Sequence, residues 1–129
     1  MRFFMLGALV AIIAAWACDV LAHEMVPTYP KWEPAYIDGL TKTTMTVFNK
    51  RTDVEYYEIG VFDGEWNPIQ FVSNYQIFKV PYLSAVTFDV YVRKQDADRA
   101  VYICSRSKLQ KEDLTRTAIS SRICSKIKK

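Results

Sequence analysis

Apolar and polar residues alternate with a period of two over much of residues 43–105, with turn-forming residues between the alternating runs. Thr43 to Phe48 sets Met45 and Val47 on one face against Thr44 and Thr46 on the other, which is the pattern of a half-buried strand. A polar break, Asn49-Lys50-Arg51-Thr52-Asp53, leads into a second strand where Tyr57, Ile59 and Val61 alternate with Glu58 and Gly60. Asp63-Gly64 ends that strand with a turn signal. Ile69 and Phe71, then Tyr75 and Ile77, predict two short pieces parted near Ser73-Asn74. The clearest run is SAVTFDVYVRK, with Val86, Phe88, Val90 and Val92 on one face and Thr87, Asp89, Tyr91 and Arg93 on the other. Gln95 to Arg99 reads as a charged loop, and RAVYICS as a further strand carrying Cys104. Ser107 to Leu114 predicts a helical turn; Thr117, Ile119, Ser121 and Ile123 then alternate with Ala118, Ser120 and Arg122 as a last strand. No long stretch after the N-terminal segment has helical periodicity.

The ends of the chain read differently. MRFFMLGALVAIIAAWACDVLA, residues 1–22, has one basic residue, an apolar run and small residues at its end. That is the pattern of a cleaved signal peptide, with the cut after Ala22 and an exported, periplasmic or secreted product. Lipidation at Cys18, set back by the bulky Trp16 before Ala17, and a leader that stays uncleaved as an anchor are the competing readings. Residues 23–40 read as an extended arm and a first edge strand, because Pro27, Pro30 and Pro34 cannot donate to a ladder. Asp38-Gly39 marks the turn out of the arm, and residues 41–129 form the body.

The 129 residues carry a formal charge of +3, too little for the basic stripe of a nucleic-acid binder. Without the leader, Cys104 and Cys124 remain as an even pair, and in an exported domain that predicts a disulfide. A metal site on the same pair needs further ligands, and the chain has a single histidine. About seven short strands with regular turns predict an all-β fold, an antiparallel β-sandwich, with the cysteines joining its last two strands.

Few residues carry chemistry. His23, the expected first residue of the mature chain, lacks the second histidine of a copper site and reads as a frayed, metal-free terminus. Asp53, Glu55, Asp63 and Glu65 fall at turns and strand edges, where carboxylates are solvated, so no catalytic residue, metal or cofactor is expected. The aromatics are more informative. Tyr56 and Tyr57 cannot share a face, and Phe48 and Phe62 lie opposite their apolar neighbours. Either the proline-rich arm covers that face, or an aromatic patch around Tyr56, Phe62 and Trp66 meets a partner. The cations Arg116, Arg122, Lys126, Lys128 and Lys129 make a mildly basic C-terminal end.

The order of these signals resembles a known family. The proline-containing arm leads through AYIDG to TMTVFN, then YYEIGVFD, PIQFVSNYQIFKV and VTFDVYVRK. Over residues 30–105 this is similar to the N-terminal immunoglobulin-like domain of periplasmic pilus-assembly chaperones. The resemblance implies an immunoglobulin-like sandwich whose last strand is lent to the sheet of an unfolded subunit, with basic residues anchoring the subunit's terminal carboxylate. In this chain it points to Thr117, Ile119, Ser121 and Ile123 as the lent strand and to Lys31 and Arg122 as the cations. The expected function is non-catalytic capture of an extended protein segment at a sheet edge. The alternative is a secreted structural or surface-assembly protein built on the aromatic patch, with self-association left open.

Overall fold

The structure is a computed structural model that describes residues 22–109 and 119–129. The leader through Leu21 (with Cys18), and residues 110–118 (with Thr117 and Arg116), lie outside the described residues.

Among the described residues, nine strands and one helical turn follow in order: β1 Glu24–Val26, β2 Glu33–Pro34, β3 Leu40–Phe48, β4 Tyr56–Phe62, β5 Val72–Ser73, β6 Ile77–Lys79, β7 Ala85–Arg93, α1 Lys94–Ala97, β8 Tyr102–Lys108 and β9 Arg122–Lys126. They form two antiparallel sheets, β1-β3-β7-β5 with β2 also on β3, and β6-β4-β8-β9. The expected all-β, immunoglobulin-like sandwich is therefore the observed fold. Strand alternation supplies its core. Met45 and Val47 of β3, Tyr57, Ile59 and Val61 of β4, Phe88, Val90 and Val92 of β7 and Ile103 of β8 are all buried. Such burial, at roughly 25 cal/mol per Å² of apolar surface, is what holds two sheets face to face.

Four details depart from the sequence reading. The proline-rich arm is not a single edge piece: β1 and β2 both pair with β3, at Met25 opposite Val47 and Glu33 opposite Lys42. Residues 95–99 are not simply a loop, because α1 closes around Asp96, whose carboxylate takes hydrogen bonds from Arg93 and Arg99 at 2.8 and 3.1 Å. Those two guanidinium groups, Arg99 first, hold the Asp96 carboxyl below its usual range. Ser107 and Lys108 end β8 and do not begin a helical turn, while residues 110–114 of that expected turn lie outside the described residues. The last strand is shifted towards the C-terminus, running over Arg122–Lys126 and not from Thr117. Cross-strand pairing with β8, Cys104 opposite Cys124, fixes that position.

The disulfide joins Cys104 to Cys124 across a Cα–Cα distance of 4.0 Å. It ties the edge strand of the second sheet to its ladder partner among the described residues.

Candidate functional site

β9 is the edge strand, and its hydrogen-bond pattern decides what that edge offers. Ser107 donates its backbone N–H to the carbonyl of Ser121 at 2.9 Å, and Ile127 donates to Val101 at 2.8 Å. With the register Ser105–Ile123 and Ile103–Ser125 between them, the odd-numbered residues of β9 face β8. Arg122 and Cys124 occupy the alternate, non-bonded positions, so their N–H and C=O groups point away from the sheet. Beyond them the edge is closed: Lys126 donates to Thr28 at 3.1 Å and Lys128 to Pro30 at 2.7 Å. At Arg122 and Cys124 no backbone partner stands among the described residues.

The run into that edge is held by a buried polar cluster that the sequence reading took for a loop and a frayed terminus. Asn49 is fully buried; it donates to the carbonyls of Val54 and Val80 at 2.8 and 2.9 Å. Its Oδ1 accepts from the Arg51 N–H at 2.8 Å and the Tyr57 hydroxyl at 2.6 Å. Burial pushes the Tyr57 phenol up to about 12. Arg51, only 7% exposed, forks onto Asp53 at 2.9 and 2.8 Å and also donates to the carbonyl of Ile119 at 3.0 Å and to Ser121 Oγ at 3.3 Å.

His23 completes the cluster and is neither frayed nor free. Its ring is 1% exposed and lies 4.6 Å from the Tyr57 ring. Nε2 meets Ser105 Oγ at 2.8 Å and the Ser105 carbonyl at 3.3 Å, while Nδ1 meets Ser121 Oγ at 3.1 Å. The carbonyl can only accept, so the proton belongs on Nε2, and Nδ1 accepts from Ser121. Burial, with help from the nearby Arg51 cation and against the Ser105 carbonyl, pushes the His23 imidazole down to about 4. An unfolded histidine takes up its proton near pH 6.5, so folding is most favoured above that value and weakens as pH falls towards 4. Between pH 7 and pH 5 the expected loss is about 2 kcal/mol. Urea unfolding of the protein and of His23→Gln at both pH values checks it: the wild-type midpoint drops and the variant's stays level.

The other sequence-predicted residues scatter. Ile119 is 61% exposed and precedes β9; Ser121 belongs to the polar cluster; Ile123 packs against the core from β9. Lys31 is far along the arm from Arg122 in sequence, yet it forms a parallel bridge with Lys128, just past β9. Lys31, Lys128, Lys129 and Lys94 border a hollow of about 450 Å³ whose apolar side includes Trp32 and Ile127. The Trp32 indole N–H is buried with no acceptor among the described residues.

The aromatic patch is half as expected. Phe62 and Trp66 lie 6.1 Å apart, with Tyr102 stacked on Trp66 at 4.3 Å and the Arg122 guanidinium 4.9 Å from the Trp66 ring. Tyr56 lies at the opposite end of β4 and takes no part. Tyr102 was missed because it is one of several aromatics in strands. Lys128 was missed as a site residue because only the folded arm reveals its neighbour.

No protein-family model matches the sequence, and no curated protein matches it. Among solved structures, the crystal structure of the Escherichia coli chaperone DraB superposes with a TM-score of 0.61 at 16% identity, covering 82% of this chain and 53% of that one. The chain thus spans about half the length of DraB. A FixG-related protein from Vibrio parahaemolyticus matches at a TM-score of 0.48 and 15% identity, covering 84% of this chain and 96% of that one. At these identities the likeness to DraB concerns the fold, and the second match carries no further weight.

Proposed function

We propose that this chain is an exported, non-catalytic protein-binding domain that captures an extended segment of a partner at the free edge of β9. The observation that carries this reading is the pair of residues Arg122 and Cys124, whose outward backbone groups have no backbone partner among the described residues, in a strand pinned by a disulfide. Main-chain hydrogen bonds to an added strand give affinity, and alternate side chains give selectivity. A lone edge is a liability unless it is short or charged, and here the arm closes all but a short stretch next to Arg122. The likeness in fold to DraB, a chaperone, supports a protein-binding reading.

Lys31 and Lys128 stand side by side past the stretch closed by the arm, so the hollow they border is a separate anchoring place, where a chain-terminal carboxylate meets two ammonium groups. The assembly alternative has less support. The rings of Phe62 and Trp66 are occupied by Tyr102 and Arg122 of the same chain.

Proline scanning tests the edge. Arg122→Pro removes an outward N–H and leaves the β8 ladder intact, so the protein should stay folded and bind extended peptides at least tenfold more weakly, since about 1 kcal/mol per lost bond is joined by strand distortion. Ile123→Pro removes a ladder bond and should destabilise the fold. Full-strength binding by a folded Arg122→Pro protein sinks the reading.

A further inference from the structure

The outer face of the four-stranded sheet carries a trench that ends at the open stretch of β9. Cross-strand register puts Gly60, Cys104 and Cys124 in one row, which forms a low floor because glycine has no side chain and the cysteines bond to each other. The next row is Glu58, Arg106 and Arg122; the row on the other side is Phe62, Tyr102 and Lys126. The Phe62 ring folds back over the floor, and a β-carbon at position 60 would meet it at 2.8 Å, so the trench depends on Gly60. Pro68, Phe71 and Gln76 close its far end, enclosing about 340 Å³.

Charge along the trench is unbalanced. Glu58 is shared between Arg106 at 2.9 Å and Lys108 at 3.3 Å, which holds its carboxyl below the usual range despite the opposing effect of burial. Arg122 stands directly opposite Arg106, and no carboxylate pairs with it among the described residues. Like charges facing each other across a strand pair are unfavourable, and an acid on the far side of Arg122 relieves them.

We infer that the trench and Arg122 together read the sequence of the captured segment, selecting an acidic residue beside Arg122 and an aromatic residue beside Cys124, with an apolar residue between them. This rests on the edge-capture reading above. An added strand places its side chains alternately on the two faces. The outward pair falls in the two rows that remain open, before Thr28 closes the edge at Lys126. The residue beside Arg122 completes a charge pair. Its neighbour turns inward next to the half-buried Ile123 and is apolar. The third lies beside Cys124, a setting for a flat ring against the disulfide sulfur.

The test uses the disulfide-intact protein and short synthetic peptides with the core Glu-Val-Phe-Val-Glu, which presents the same order in either strand direction. Binding is followed by calorimetry and by amide shifts at residues 122–125. The Glu core should bind about tenfold more tightly than a core with Lys at both Glu positions, with the gap shrinking in high salt. Replacing Phe by Asn should also weaken binding, and Arg122→Glu should invert the charge preference. Equal affinity for all cores, with the amides of 122–125 still shifting, overturns the selectivity while leaving edge capture standing. No binding by any peptide, and no shift at those amides, overturns both.

Discussion

Asn49→Ala should cost about 4 kcal/mol, measured by urea unfolding at pH 7. The amide makes four hydrogen bonds from a fully buried position, donating to Val54 and Val80 and accepting from Arg51 and Tyr57. Alanine leaves a buried hydroxyl, a backbone N–H and two carbonyls without that partner, and each orphaned group costs roughly 1–3 kcal/mol before relaxation. The effect should also travel. Arg51 holds the carbonyl of Ile119 and the hydroxyl of Ser121, so a displaced Arg51 loosens the approach to β9. Hydrogen exchange at the amides of Ser121 and Ile123 should quicken in Asn49→Ala more than exchange in the centre of β3. A loss under 1 kcal/mol shows that water replaces the amide, and that the cluster is not what positions the edge.

Removing the disulfide, as Cys104→Ala with Cys124→Ala, should cost about 3 kcal/mol. The bond closes a loop with a sequence separation of 20, and in the chain-entropy model the cost of leaving that loop open in the unfolded state sets the size. Denaturant unfolding of the double variant beside the native protein measures it. The second consequence concerns β9. An edge strand with one ladder partner frays unless something else fastens it, and here the fastening sits at the residue whose outward backbone groups are open. The double variant should therefore remain folded in the cold yet bind extended peptides more weakly. Undiminished binding shows that the β8 ladder and the arm hold the edge without the sulfurs.

Much of the architecture was legible in the chain. Period-two alternation placed β3, β4 and β7 within a few residues, since an error of one position would turn Met45, Ile59 or Phe88 to solvent. The even cysteine pair was readable for the same kind of reason, as a covalent constraint that depends on composition and compartment. The candidate site was less so. Asn49, Arg51 and His23 are polar, and polar residues beside turns are ordinarily solvated; nothing local distinguishes them from Lys50, which is not buried. The last strand was placed too early because alternation continues smoothly from Thr117 into β9, and pairing with β8 alone selects the stretch that becomes ladder.

By itself the chain determined two layers of strands, the residues that fill the space between them, and a sulfur bridge near the C-terminus. These follow from local periodicity and from side-chain chemistry that does not depend on distant neighbours. Tertiary structure alone decided which polar groups are buried and satisfied, that Lys31 meets Lys128, and that Arg122 and Cys124 face outward from an open edge. The physical reason is that hydrogen-bond satisfaction and edge exposure belong to pairs of segments far apart in sequence. The arm, the turn after β3 and the approach to β9 come together only after the sheets have stacked.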